Sequence, residues 1–208
     1  MGDSTQTFDF DVVIVGASFA GAACALAAAQ RGLRVCVLER KRDPGEKLHT
    51  TGIIVKEAAE RTMLGQIPSA LTRRVEGVRL YSPRLKQLAP GPTRAGLIPC
   101  DGPVAELARD RAILTGDAAG IVSPVTAGGI HSAWNHGWDV GRAIAAFLRD
   151  GGKPAELAAV NAAPRFRTKR MLRWAFDHFQ FDWPFDLFLH TTPLRRAAEY
   201  VYFHRRKC

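Results

Sequence analysis

The sequence predicts an α/β fold with a small antiparallel β insertion and a C-terminal helical segment, on three observations. A β-branched run at 11–16, "DVVIVG", is followed by an Ala-rich stretch and then by a second apolar run, "LRVCVLE". A comparable order begins at 112–117, where "AILTGD" precedes a long stretch with helical periodicity. From residue 164 onward, basic and aromatic residues alternate without glycine. Apolar runs alternating with helical patterns are typical of a parallel sheet covered by helices.

Composition predicts a globular chain with affinity for an anion. The 208 residues carry a net charge of +9 and are 47% hydrophobic, which suits one substantial core plus an appendage. The N-terminus lacks the layout of a signal peptide and no run reaches about 18 apolar residues, so we expect a cytoplasmic protein, soluble or peripheral on a membrane. The four cysteines form no C-x-x-C pair, and we expect reduced core thiols.

The first run opens a compact βαβ unit of the Rossmann type. "DVVIVG" has no polar face, which predicts a parallel strand covered on both sides. Gly16 ends this strand, an Ala-rich helix extends to Gly32, and the next buried strand ends at Glu39. Strand, glycine turn, helix, strand and acid in this order predict a dinucleotide site.

The turn in this unit reads G-x-S-x-x-G over Gly16, Ser18 and Gly21. Gly16 permits the tight turn, Ser18 adds a hydroxyl where the pyrophosphate approaches, and Gly21 lets helix and strand pack closely. The helix N-terminus favours the phosphates, and Glu39 matches the acid that holds an adenosine ribose. An ordinary βαβ turn stays open as an alternative, whereas a serine elbow needs G-x-S-x-G. We predict these dinucleotide contacts here: Gly16, Ser18, Phe19, Ala20, Gly21, Glu39 and Arg40.

The second run resembles a motif of a known family, and this resemblance indicates which dinucleotide is bound. "LTGDAAGIVSPVTAGGI" resembles the second flavin motif of the p-hydroxybenzoate hydroxylase-like FAD proteins, and within them the geranylgeranyl reductase family. The resemblance implies FAD as cofactor, with Asp117 on the ribityl hydroxyls and the backbone of Gly129 and Ile130 on the pyrophosphate or the ring. Gly116 and Pro124 belong to the same implied site, and a helix from about Gly129 to Leu148 would point its positive end at the flavin.

The segment "ERKRDPGEKLHTTGI" resembles the same family. Lys47 is kept, but His49 or Thr50 stands where the family has a cysteine, so no role of that cysteine is carried over. We expect Thr50 and Thr51 to contact the flavin. By resemblance, reduced FAD would deliver a hydride from N5 to an isoprenoid double bond, with electrons from a donor such as NAD(P)H or ferredoxin. The residues identify no proton donor.

The segment between the two motifs is short for this family, which places most of a substrate domain there. It holds a predicted helix, "GIIVKEAAERTML", a predicted hairpin at Val78–Leu88 and a Pro/Gly-rich link. We predict an FAD-binding domain at 8–150, in which 73–104 is a reduced remnant of the substrate-domain sheet, and a helical segment at 151–208. An aromatic-ring flavin monooxygenase and a non-catalytic, truncated flavin-binding module remain open as alternatives.

The C-terminal segment is basic and aromatic, and Pro184 and Pro193 predict breaks between its helices. Its aromatic side chains either pack on the FAD domain or form an amphipathic surface that rests on anionic lipid. Nucleic acid is a less suitable partner because no nucleic-acid-binding motif is present. His131 and His136 do not share a helical face, so we expect no metal site and place both behind the flavin.

Overall fold

The structure is a computed structural model that describes residues 9–43, 52–54, 56–74, 98–179, 191–193 and 196. The chain divides into two compact units. The first comprises Met1–His49 and Gly96–Arg173, and the second comprises Thr50–Ala95 and Trp174–Cys208. The division into a domain at 8–150 and a segment at 151–208 stays a prediction.

The predicted βαβ unit is present at the start of the first unit. Strand β1 is Val12–Val15, helix α1 is Phe19–Ala29 and strand β2 is Val35–Leu38. The strands are parallel, with Val12 opposite Val35 and Val15 opposite Leu38. The N–H of Gly16 donates to the carbonyl of Leu38 at 2.7 Å, which extends the ladder into the glycine turn.

The second motif begins with less sheet than its sequence suggests. Strands β3 (Ala108–Arg109) and β4 (Ala112–Ile113) form an antiparallel pair around a turn whose two residues have positive φ. The apolar run "AILT" therefore contributes only two strand residues. Within the part of the chain that the structure describes, β1 and β2 form a two-stranded sheet by themselves.

After β4 the chain forms a 3-10 turn at Gly116–Ala119 and then helix α3, Ile130–Asp150. The predicted helix from about Gly129 to Leu148 is thus confirmed. Helix α4, Ala155–Ala162, follows and packs on α3. The core that joins these elements contains Ile14 of β1, Cys24 of α1, Val140 of α3 and Ala159 of α4.

Helices α1 and α3 approach each other at backbone distance. A Cβ atom on Gly137 would overlap the carbonyl oxygen of Ala20, and one on Gly141 would overlap that of Cys24. Positions 137 and 141 are four apart and so lie on one helix face. Glycine at both positions lets α3 lie directly on α1.

The expectation that β1 is covered on both sides is wrong. Ile14 faces the helices and is 8% exposed, whereas Val15 is 84% and Val13 is 54% exposed. Leu38, opposite Val15 on β2, is 53% exposed, so this strand is not fully buried either. The physical reason is that α1 and α3 cover one face of the sheet, and no described element packs on the other.

The second unit holds part of the helix predicted for "GIIVKEAAERTML". Helix α2 is Lys56–Arg61, and 3-10 helices follow at Met63–Gln66 and Ser69–Leu71. The Thr62 hydroxyl accepts the N–H of Leu64 at 3.2 Å, and this cap starts the new 3-10 turn. The predicted hairpin at Val78–Leu88 lies outside the described residues.

Helix α5, Arg167–His178, confirms helical structure in the basic and aromatic segment. Pro184 lies outside the described residues, as does most of the chain beyond it. Within the described residues, no helix combines the length and the apolar character that crossing a membrane requires.

Candidate functional site

The glycine turn between β1 and α1 has the geometry of a phosphate-binding loop. Gly16 has a φ of 99°, a left-handed value that favours glycine, and no atom lies within 4 Å of the place a Cβ would take. A Cβ on Gly21 would overlap the carbonyl oxygen of Gly16, so glycine is needed for the close contact between helix and strand, as predicted. The turn therefore leaves open space in front of its backbone.

Helix α1 presents free N–H groups to that space. Ser18 occupies the N-cap with extended backbone, and its side chain makes no capping hydrogen bond with any described residue. Ser18 is exposed, Phe19 is half-buried and Ala20 is buried. The first N–H groups of the helix and the Ser18 hydroxyl are thus available to an anion.

Glu39 lies at the end of β2 and is held against the glycine turn. Its Oε2 accepts the N–H of Ala17 at 2.8 Å, and its Oε1 accepts the N–H of Lys41 at 2.9 Å. These bonds, with that from Ala17 the stronger influence, lower the pKa of Glu39 below its usual range. Each carboxylate oxygen still has a second lone pair, so a ribose hydroxyl can bind as well. Arg40, next in the chain, is exposed.

The second motif lies directly against the first. Gly116 has a φ of 61°, and a Cβ there would lie 2.8 Å from the Cβ of Ala20. Asp117 is exposed, and its Oδ1 lies 3.6 Å from the place a Cβ on Gly129 would take. Asp117 therefore lies beside the start of α3. The turn from Gly116 places its carboxylate there.

Helix α3 offers a second free N-terminus. Gly129 is its N-cap and, within the described residues, no side chain caps it. Gly129 and Ile130 are both half-buried, so their backbone groups reach the surface. Helices α1 and α3 have 11 and 21 residues, long enough for each to attract negative charge to its N-terminus.

These features fit a dinucleotide with two phosphates and two sugar-like chains. Contacts between the turns bring together two free helix N-termini, an exposed aspartate and an ionised glutamate. Four of the predicted site residues are buried and so present no side chain at this surface: Ala20, Gly21, Gly116 and Pro124. Thr50 and Thr51 lie outside the described residues, as do Lys47 and His49. The individual cofactor contacts stay predictions.

A hydrogen bond between the buried His136 and the half-buried Thr115, behind the second turn, was not expected from the sequence. His136 of α3 is 2% exposed, and its Nδ1 lies 2.9 Å from the Thr115 hydroxyl. Its Nε2 lies 3.0 Å from the carbonyl oxygen of Ala159 on α4. Sequence reasoning placed His136 behind the flavin but gave it no partner, and Thr115 was not singled out. No local pattern joins residues 115, 136 and 159.

The helix contact through Gly137 and Gly141 was also missed, although the sequence carries a signal for it. Two glycines four residues apart in a long helix are costly for helix propensity. Such a pair on one face is best explained by a close helix neighbour.

A match to a known protein family agrees with the flavin fold predicted from the two turns. Residues 11–163 match the model of the FAD dependent oxidoreductase family, which covers both turns and the helices behind them. The chain belongs to this family. The predicted cofactor of the family, FAD, and the predicted membership of an oxidoreductase family are thereby confirmed.

Individual proteins of known name are similar to part of the chain. A digeranylgeranylglycerophospholipid reductase of Methanococcus vannielii is 32% identical over 102 residues, which are 49% of this chain and 24% of that protein. A second reductase of that name, from Methanothrix thermoacetophila, is 34% identical over 73 residues, or 35% of this chain and 18% of that protein. The predicted resemblance to geranylgeranyl reductases is confirmed over these segments.

A relative of another name matches as well. A protein of Escherichia coli strain K12 named "Probable electron transfer flavoprotein-quinone oxidoreductase" is 40% identical over 78 residues, which are 36% of this chain and 18% of that protein. The matched segments span about a quarter or less of each relative. No solved structure matches the chain.

Proposed function

We propose that the chain binds FAD across the two turns and uses it to reduce an isoprenoid or other lipid-like substrate. The observation that carries this proposal is the contact between the turns, in which Gly116 meets Ala20 and Asp117 lies beside Gly129. The substrate class is supported by the relatives named digeranylgeranylglycerophospholipid reductase.

Each part of the proposed site has a physical task. The free N-termini of α1 and α3 hold the pyrophosphate by N–H donation and partial positive charge. The exposed carboxylate of Asp117 accepts hydroxyl groups of the ribityl chain, and Glu39 accepts those of the adenosine ribose. FAD, once bound, supplies hydride transfer, and the protein contributes position and electrostatics.

A lipid-like substrate would be met at a membrane surface, and helix α5 has a suitable composition for it. The polar residues of this helix include Arg167, Lys169 and Arg170, whereas Met171 and Trp174 are 63% and 56% exposed. Basic residues next to exposed apolar ones favour the surface of an anionic bilayer. We propose peripheral binding through α5. Sedimentation with anionic vesicles tests it, and equal binding to neutral vesicles or none to either would contradict it.

Cofactor binding is tested by titrating flavin-free protein with FAD and following the flavin fluorescence. We expect saturation near one FAD per chain and the absorption bands of bound flavin. Asp117→Ala and Glu39→Ala should each weaken binding by roughly tenfold or more, since each removes a charged hydrogen-bond acceptor. Asp150→Ala, at the far end of α3, is the matched control and should bind FAD as the unaltered chain does.

Turnover is tested after anaerobic reduction of the FAD-loaded protein. Mixing with a geranylgeranyl lipid should restore the oxidised flavin spectrum, and the lipid should gain two hydrogens by mass spectrometry. A screen of NAD(P)H and reduced ferredoxin would then identify the external electron donor. Flavin that stays reduced in the presence of the lipid would remove the reductase proposal and leave FAD binding intact.

That outcome would favour a second candidate, a flavin-binding module without turnover. The exposed face of the β1–β2 sheet supports it, because Val13, Val15 and Leu38 are not covered by any described element. This candidate requires that the protein binds FAD and that no lipid or quinone oxidises the reduced flavin.

A further inference from the structure

His136 has a defined protonation pattern because both of its ring nitrogens have a hydrogen-bond partner. The carbonyl oxygen of Ala159 only accepts hydrogen bonds, so Nε2 of His136 carries the proton and donates to it. Nδ1 of a neutral ring is then an acceptor, and the Thr115 hydroxyl donates a hydrogen bond to it. The ring therefore links α4 to Thr115 in one neutral tautomer.

Thr115 is the residue from which the flavin-binding turn starts. Its backbone is extended, with φ of −146° and ψ of 160°, at the N-cap of the turn Gly116–Ala119. Its side chain makes no capping bond to that turn within the described residues, and the hydroxyl bonds instead to His136. The next residues are Gly116, packed on Ala20, and Asp117. A shift of Thr115 would therefore move the carboxylate proposed to hold the ribityl chain.

The surroundings favour the neutral ring. Burial lowers the pKa of His136, and its bond to Ala159 and the carboxylate of Asp139, on the same helix, oppose that effect. The elements packed nearby carry these further charged groups: Glu156 on α4, Asp117 in the turn and Arg109 on β3. Arg109 is paired with Glu106. None of these groups makes a described hydrogen bond to the ring.

We propose that His136 is a positioning residue for FAD: as a neutral imidazole it holds Thr115, and with it the Gly116–Asp117 turn, in the cofactor-binding form, and protonation of the buried ring weakens this hold. The inference rests on the proposed FAD site. A protonated ring carries a second proton at Nδ1, so the Thr115 hydroxyl must turn from donor to acceptor, and the buried ring holds a positive charge to which no described carboxylate hydrogen-bonds. This charge favours a form in which the ring leaves Thr115 and reaches water. The folded form resists protonation, so the hold is complete above the ordinary imidazole range and is lost as the pH falls below it.

The first experiment distinguishes the contribution of the Thr115 hydroxyl to FAD binding from that of the side-chain volume. Thr115→Val keeps the volume and removes the hydroxyl, and it should weaken FAD binding by roughly tenfold. Thr115→Ser restores the hydroxyl and should recover most of that loss. Equal FAD affinity in the valine variant and the unaltered chain would overturn the proposal, as would a serine variant no better than valine.

The second experiment is a pH profile of FAD affinity between pH 7.5 and 5.5. Affinity of the unaltered chain should fall by about threefold or more over this range, within the limit of tenfold per pH unit for one proton. His136→Asn, which keeps an acceptor near Thr115 and cannot titrate, should show a flat profile. His178→Asn, a variant of an exposed histidine on α5, should keep the slope. A slope that persists in His136→Asn would overturn the proposal.

A third measurement works even if FAD does not bind. Amide hydrogen exchange over 116–121 in flavin-free, full-length chain should speed up in Thr115→Val, and below pH 6.5 in the unaltered chain after correction for intrinsic rates. If FAD fails to bind but exchange changes in this way, the proposed function is wrong and the role of His136 in holding the turn stands. If FAD binds and exchange is unchanged in both cases, the positioning role is wrong.

Discussion

The two faces of the β1–β2 sheet differ sharply. On the helix side, Ile14 is 8% exposed and joins a core with Cys24 and Val140. On the other side, Val15 is 84% and Leu38 is 53% exposed, although these residues are just as apolar. Parallel sheets are normally buried on both faces. The difference teaches that the two glycine turns and the helices behind them form a packed layer, whereas no described element covers the opposite face of the sheet.

The largest expected effect is at the helix side, where α3 meets α1. Gly141→Leu would place side-chain atoms on the carbonyl oxygen of Cys24 and against the Cβ of Ala27. Forcing the helices apart should lower the free energy of unfolding by about 3 kcal/mol or more. Urea denaturation followed by circular dichroism measures this.

Gly128→Ala is the matched control, since the nearest atom to its Cβ would be the movable Thr126 hydroxyl at 3.3 Å. Its cost should be below about 1 kcal/mol. A similar loss in both variants would mean that the α1–α3 contact is not the close contact described.

A pair of strand substitutions tests the two faces directly. Ile14→Ala should cost about 2–4 kcal/mol because it leaves a cavity among packed side chains. Val15→Ala should cost less than about 0.5 kcal/mol because its side chain is mostly exposed already. The same urea titration serves for both. If Val15→Ala costs as much as Ile14→Ala, the exposed face is covered in the protein in solution.

A smaller effect, which depends on pH, is expected for Glu39, which follows the end of β2. Its pKa is lowered by the N–H groups of Ala17 and Lys41, so its hold on the glycine turn is complete above the ordinary pKa of a glutamate. The hold is lost as the pH falls through the lowered value. Carbon-13 NMR of the side-chain carboxyl should show a midpoint below the ordinary glutamate range, with Glu39→Gln used for assignment. A midpoint at or above that range would contradict the two hydrogen bonds.

The smallest effect concerns the reactivity of cysteines on the two sides. Burial raises the pKa of the Cys24 thiol to about 11, so at pH 8 only roughly one molecule in a thousand is thiolate. Cys36 of β2 is only partly buried. Iodoacetamide at pH 8, read by peptide mass spectrometry, should label Cys36 well before Cys24. Labelling of Cys24 first would place it outside the core.

Much of the first turn could be predicted because its signals are local. Gly16, Gly21 and Glu39 lie in one short βαβ unit, where strand length, helix length and turn together determine the geometry. The start of α3 could be predicted equally well, since a glycine pair precedes a long run with helical periodicity. The extent of β4 was not, because a strand of two residues depends on which partner its backbone finds.

The sequence by itself determined that this chain has two glycine turns, each followed by a helix, and it predicted an acid for each end of a dinucleotide, that of Asp117 by resemblance. Backbone propensity, glycine and hydrophobic period are local properties, and they are sufficient for that. Only the tertiary structure decided that Gly116 meets Ala20, that His136 bonds to Thr115 and Ala159, and that one sheet face is exposed. These contacts join residues far apart in the chain, and their partners are selected by how the layers pack rather than by any neighbour in the sequence.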